Sequence, residues 1–482
     1  MHKTVSAEPS PREIAEKTER AETASAWAVK VPLWFALAAL LLGNGFVFVN
    51  PPLRAPDEWA HFARAWQISR LRLRPQEQNG ILGGYTPIGI ETLNKRFEKI
   101  AFDGVNFDQI EAARKIPLGE SDLKFLAYPS IAEYPSLPFV PQALGVAIAR
   151  WFVHSSLIVM YFAREANLLA YIAVVVIALV RMPDASCRLT LALVGLVPMA
   201  LHQAASVSAD GLTIALAIFF ASTLWRMTHW QRLRGRIDFA LLALASVGLT
   251  FTKLVYLPLA LLVLLVPRHR FASLGRWSCY VGGILLCDCL AISLWMWQFG
   301  GVPKLDLNPR VNPQQQKAWI MNHPAAALEV IPATASRFGR EIITGVIGTF
   351  GWNELMMPAL PVAIYFAILA ASLIGRRSSI HLMGLGLSLF VAAIELLVML
   401  AGYYIECRPV GEPAIAGFQG RYLVPLLPLL IFWRKDRPAP PGRLGRALLL
   451  TAILISAFSI FFLAQELYLH FPGSRVFFRY SD

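Results

Sequence analysis

Asp57, Glu58, His61 and Arg64 stand close together in the run Pro56-Asp57-Glu58-Trp59-Ala60-His61-Phe62-Ala63-Arg64. If a helix starts after Pro56, then Asp57, His61 and Arg64 fall at i, i+4 and i+7 and share one face. The run directly follows a long apolar stretch, residues 31–49, so it belongs where a first span leaves a bilayer. A carboxylate beside cations at such a surface can take the proton of a hydroxyl next to an anionic head group. The same residues also read as an interfacial charge cluster that anchors a helix end.

Further clusters recur along the chain. Ser206-Val207-Ser208-Ala209-Asp210-Gly211 is a short turn between apolar runs, and its Asp210 suits either a helix cap or a site. Lys253 follows the apolar run 238–252 and can neutralise a phosphate or snorkel. Gly345 to Glu354 is glycine-rich and carries Trp352, which can stack on a sugar ring or sit at the interface. Gly417-Phe418-Gln419-Gly420-Arg421-Tyr422 leads into another apolar run and offers Gln419, Arg421 and Tyr422 for binding. Arg421 reads as a phosphate clamp or as a partner for Asp57 or Glu58. Tyr128-Pro129 and Tyr134-Pro135 can shape a groove or anchor the interface. Asp288 and Glu395 are acids at membrane depth.

The elements that must position these residues are apolar helices. Of the 482 residues 56% are hydrophobic and 16% charged, against about 25% charged in soluble proteins. The mean hydropathy is +0.52. The pattern predicts an all-α, polytopic transmembrane bundle. Eleven candidate spans cover 31–49, 163–181, 188–205, 212–226, 238–252, 254–267, 277–297, 356–375, 382–403, 421–433 and 446–464. Residues 138–153, entered through Pro138 and Pro141, read as a re-entrant element. The net charge of +13 lies largely in short loops, the positive-inside pattern, and so does not point to nucleic acid. With those loops in the cytoplasm, residues 1–30 form a polar cytoplasmic tail and 31–465 the membrane domain. Residues 50–137 form a large first outer loop with interfacial helices at 91–102 and 106–116, and 466–482 an outward tail. The five cysteines form no metal-type pair with His, and no Walker or dinucleotide glycine motif is present.

The chain resembles a bacterial family of polytopic membrane proteins, domain of unknown function 2142. The likeness rests on Pro56-Asp57-Glu58 with His61-Phe62 and Arg64, and on Ser206 to Gly211 as a Ser-x-Ser-x-Asp-Gly pattern. It also rests on Phe350-Gly351-Trp352 and on Gly420-Arg421-Tyr422 followed by Pro425. It extends from about residue 33 to about residue 465, with Trp59 where many members carry proline. That family in turn resembles GT-C glycosyltransferases, which have a multi-helix fold, a large first outer loop and an acidic motif after the first span. Those enzymes use polyprenyl-phosphate sugar donors.

The resemblance implies an inner-membrane enzyme acting at its outward face, on a glycan or lipid-linked acceptor, in envelope polysaccharide or glycolipid assembly. Asp57 is then the candidate base, and Glu58 a second carboxylate or metal partner, although two adjacent carboxylates do not establish a divalent metal. His61, Arg64, Asp210, Lys253, Trp352, Gln419, Arg421 and Tyr422 are the candidate binding residues. A flippase for lipid-linked saccharide, calling on Asp288 and Glu395, and a non-catalytic assembly subunit are the rival readings.

Overall fold

The computed structural model describes residues 27–98, 107–229, 235–297, 310–373, 382–433 and 442–469. Most of the two terminal tails expected from the sequence lies outside them, as do three of the basic loops in part or whole. Among the described residues six helices are long and apolar enough to cross a membrane: α1 (Val31–Val49), α6 (Ser156–Arg181), α9 (Ala209–His229), α11 (Leu274–Trp297), α15 (Leu382–Cys407) and α16 (Gly442–Ala464). A further pair of apolar helices has the length of a span but is bent. Helix α7 (Ala185–Gly195) and helix α8 (Pro198–Ala204) meet at 63°, because Pro198 lacks the amide and crowds the carbonyl that a continuous helix would need. The chain is a multi-pass helical membrane protein.

The remaining expected spans are shorter. Helices α10 (Arg236–Thr250) and α14 (Ala359–Ser372) are α-helical, whereas Leu254–Leu265 and Gly420–Trp433 are 3₁₀ helices containing Pro258, Pro425 and Pro428. A 3₁₀ helix rises about 2.0 Å per residue, so these two reach about 24 and 28 Å. That comes close to the roughly 30 Å of a hydrocarbon core. By contrast α5 (Val140–Ala149) extends only about 15 Å. It continues the 3₁₀ turn Leu137–Phe139 and packs on α6 and on α2 (Glu58–Ser69).

The spans show why they sit in lipid. On α1, Phe35, Ala39, Leu42 and Phe46 are buried at helical spacing, while Leu33, Leu37, Leu41 and Phe48 are exposed and equally apolar. A helix apolar on every side needs a non-aqueous neighbour on its outer face. Inside, Asp288 of α11 accepts hydrogen bonds from Ser246 and Thr250 of α10, each at 2.8 Å, so this membrane-depth acid joins two helices. Glu395 is fully buried on α15 and neither of its oxygens has a hydrogen-bond partner.

The first loop folds over one end of the bundle on a core of its own. It holds α2 (Glu58–Ser69), a three-stranded antiparallel sheet β1 (Gln76–Gln78), β2 (Ile81–Pro87) and β3 (Leu123–Ala127), and the helices α3 (Ile88–Glu98) and α4 (Phe107–Arg114). The sheet is an element the all-helical reading omitted; its strands are short and mixed in character, so alternation was weak evidence for them. Phe62, Trp66, Leu93, Tyr128 and Phe139 form the centre of this second core. Asn312 caps α12 (Pro313–Asn322) by accepting from the Gln315 amide at 3.0 Å, and α13 (Pro324–Gly348) follows.

Candidate functional site

Four helices begin at one place. Asp57 precedes α2, Asp210 is the second residue of α9, Lys253 caps the 3₁₀ helix Leu254–Leu265, and Arg421 is the second residue of Gly420–Trp433. Helix starts carry unpaired amides and the positive end of the dipole, which favours an anion and opposes added cations. Lys253 and Arg421 stand there against that trend.

Asp210 holds the two cations together. It is ion-paired with Lys253, and its other oxygen lies 3.6 Å from Arg421 Nε. It does not cap its helix; Ser208 does, accepting from the Asp210 amide at 3.2 Å. Its turn is pinned from three sides. Gln142 of α5 donates to the Ser208 carbonyl at 2.8 Å, Asn167 of α6 to the Ser206 carbonyl at 2.9 Å, and the Val207 amide to Glu58 at 2.9 Å. The Lys253 ammonium lies 5.2 Å from the centres of both the Tyr134 and Tyr422 rings, an arrangement that favours a desolvated cation. The Arg421 guanidinium packs on the Tyr422 ring at 5.3 Å.

Two of the buried arginines of the region differ in a telling way. Arg164 of α6 grips Glu58 at 2.8 and 2.6 Å and also donates to the carbonyls of Val47, Asn50 and Pro51 at 2.8–2.9 Å. Its donors are satisfied, and it ties the end of α1 to the start of α2. Arg421 is nearly as enclosed and hydrogen-bonds Tyr422, but it reaches Gln203 only at 3.4 Å and Asp210 at 3.6 Å, and its Nε–H has no hydrogen bond. A buried donor left short of partners is costly. Arg421 thus keeps one unused donor where Arg164 keeps none.

Asp57 has a left-handed backbone, φ 60° and ψ 12°, and makes no side-chain cap bond to α2. Its carbonyl instead receives the Ala60 and His61 amides at 2.9 and 3.0 Å. Left-handed geometry is strained for a non-glycine residue, although Asp tolerates it better than most. The carboxylate is thus released from capping, and it has no hydrogen-bond or ion-pair partner among the described residues. Burial raises its pKa above the usual 3.8, while Arg421 and then Lys253 pull it back. His61 packs on Phe139 and Tyr134, with ring centres at 5.4 and 6.4 Å. Burial first, and the nearby Lys253 charge second, push its pKa down to about 3, so it stays neutral.

Not every expected residue joins this group. Glu58 is fully buried and spent on Arg164 and the Val207 amide, so the reading of Asp57 and Glu58 as a catalytic or metal-binding pair is corrected. Among the described residues no three His, Cys, Asp or Glu side chains gather as a metal ligand set. Arg64 also turns away, donating to the Leu73 carbonyl at 2.5 Å and to Ser136 at 3.1 Å. The shared face expected for Asp57, His61 and Arg64 fails because the left-handed Asp57 is out of phase with the helix. Arg421 pairs with Asp210 rather than with Asp57 or Glu58. Gln419 is half-buried with an unpartnered Oε1.

Trp352 is 42% exposed on the hairpin formed by β4 (Thr349–Phe350) and β5 (Leu355–Met356). Glu354 of the same turn pairs with Arg54, three residues before Asp57, and so ties this hairpin to the catalytic loop candidate. Arg164, Arg54 and Gln203 were not singled out from the sequence. A charge one or two turns inside an apolar helix was the available signal for Arg164; the other two carried none.

Arg421 is placed by a close approach. A Cβ added to Gly420 would stand 2.0 Å from the Ile342 carbonyl oxygen of α13, and Gly345 faces it across the contact. Gly420→Ala is expected to force the two helices apart, lowering thermal stability by about 1–3 kcal/mol and loosening Arg421 from Asp210. Melting of the purified variant in detergent checks this; a wild-type midpoint would show that the contact yields freely.

No curated protein matches the chain. Among solved structures, the crystal structure of ArnT from Cupriavidus metallidurans bound to undecaprenyl phosphate aligns at 14% identity with a TM-score of 0.39. The alignment covers 86% of this chain and 59% of that one, a likeness too low to fix a shared fold. The family model described as predicted membrane protein (DUF2142) matches residues 40–430, a stretch that holds every residue of the cluster from Asp57 to Arg421, and the chain belongs to that family.

Proposed function

We propose that the protein is a membrane glycosyltransferase of the GT-C kind. It takes sugar from a polyprenyl-phosphate donor at the face bearing the first loop and acts outside the cytoplasmic membrane in envelope glycan or glycolipid assembly. The observation that supports this most directly is the unpaired, half-buried Asp57 carboxylate set against Lys253 and an Arg421 whose Nε–H has no hydrogen bond. Asp57 takes the proton of the acceptor hydroxyl, whose oxygen attacks the anomeric carbon. The bond from that carbon to the phosphate oxygen breaks, and polyprenyl phosphate leaves with one more negative charge. Lys253, Arg421 and the converging helix starts stabilise that charge where it develops. Trp352 and the Tyr134 segment shape the sugar and lipid groove. A transporter would need a polar route through the bundle, but Asp288 is already engaged by Ser246 and Thr250.

The test is direct binding of undecaprenyl phosphate to the purified protein in nanodiscs. Arg421→Lys keeps the charge but loses the planar, two-pronged grip on phosphate. Affinity is expected to fall about ten- to a hundred-fold, the value of a charge-assisted bond of roughly 1.5–3 kcal/mol. Lys253→Gln should weaken binding similarly. Unchanged affinity in both variants, with lowered melting temperatures, would assign the cations to the fold and place the phosphate elsewhere.

A further inference from the structure

At the other end of α1 from Asp57, a cavity of about 490 Å³ opens between the start of α1 and the start of α16. Its volume is in the range of small-molecule sites. Trp27, Lys30 and Trp34 line one wall at i, i+3 and i+7; Arg446, Leu449 and Ile453 line the other at i, i+3 and i+7. One wall is thus a single face of α16, and the other runs from the turn before α1 onto its first turn. Polarity along them is graded in the same sense. Lys30 and Arg446 lie at the helix starts, and Trp34, Leu449 and Ile453 lie further along each span. The Trp27 ring rests on Gly445, where an added Cβ would stand 2.7 Å from it. That packing lets the ring cover the α16 backbone and form part of the wall.

The charges are available. Arg446 donates its Nε–H to the Gly442 carbonyl of its own helix at 3.0 Å, and among the described residues its guanidinium has no ion pair. Lys30 is exposed and has no ion-pair partner among the described residues. Two cations above an apolar, tryptophan-lined cleft match an amphiphile with an anionic head and a hydrocarbon tail. A soluble anion would use only the cations and leave the apolar walls uncovered.

We infer that this cleft is a binding site for an anionic glycerophospholipid, with its phosphate between Lys30 and Arg446 and an acyl chain along Trp34 and Ile453. It lies at the end of α1 opposite the Asp57 cluster and does not depend on the reaction assigned there. A bound lipid would join the first and last described spans, which pack side by side.

The experiment uses the full chain in phosphatidylcholine nanodiscs with a small amount of photoactivatable phosphatidylglycerol or photoactivatable phosphatidylcholine. Adducts are mapped by peptide mass spectrometry. Each cation near a membrane surface contributes about fivefold to anionic lipid binding, about thirtyfold for two. Phosphatidylglycerol adducts on the peptides holding Trp27–Trp34 and Arg446–Ile453 are expected to exceed phosphatidylcholine adducts by about that factor. Lys30→Gln with Arg446→Gln should remove the excess. Equal labelling of wild type by the two lipids overturns the site without reference to any variant. A preference that persists in the double variant, or displacement by undecaprenyl phosphate at lower concentration than by phosphatidylglycerol, overturns the assignment of head group or occupant.

Discussion

Asp57→Asn is expected to lower transfer by about 10²–10⁴-fold, the usual loss when a positioned base is removed, while leaving the protein at least as stable as wild type. The activity loss follows because an amide cannot take the acceptor proton. The stability outcome follows from two features of the site. Asn is at ease in the left-handed backbone that Asp57 adopts, and it removes a carboxylate whose charged form burial penalises. The sign of that second effect can be worked through. The folded pKa of Asp57 lies above its unfolded value, so the group favours the fold below the unfolded value. That contribution is lost as pH rises through the raised folded value. Activity runs the other way: transfer should fall as pH drops through the same raised value, because the base becomes protonated. His61 does not add a second limb near neutrality, since it titrates at about 3. Initial rates against pH, with melting in detergent for both proteins, check all of this. Full transfer by the Asn variant would remove Asp57 from the chemistry.

Glu58→Gln should have the opposite character. It leaves the Arg164 guanidinium buried with no countercharge, and breaking a fully buried pair from one side costs about 3–5 kcal/mol. The damage should spread, because Arg164 also holds the carbonyls of Val47, Asn50 and Pro51, and Glu58 holds the Val207 amide of the turn that carries Asp210. The expected result is a large fall in melting temperature and in the yield of folded protein, with activity lost as a consequence. Arg164→Gln should do the same. If Glu58→Gln instead melts like wild type and loses only transfer, Glu58 acts on the substrate and the clamp role is wrong. Adjacent residues of one motif thus divide the work: Glu58 holds the loop and Asp57 faces the site.

That division marks the boundary between what the chain spells out and what folding adds. The membrane class and the order of the apolar segments were legible in the sequence. Hydropathy, segment length and proline position are local properties, and the bilayer reads them directly. So was the shortlist of Asp57, Asp210, Lys253 and Arg421, because charges at apolar helix ends are conspicuous. Which of these face one another was not. Asp210 reads as a plausible cap until Ser208 is seen to cap and Lys253 and Arg421 to close on the carboxylate. Glu58 and Asp57 are indistinguishable as letters; a left-handed backbone at one and Arg164, more than a hundred residues later, beside the other separate their roles. Likewise 254–267 and 421–433 read as plain apolar spans, while the structure shows stretched 3₁₀ helices whose starts deliver the two cations. Pairings between distant segments depend on how helices pack, and packing is a property of surfaces brought together, which no single stretch of sequence contains.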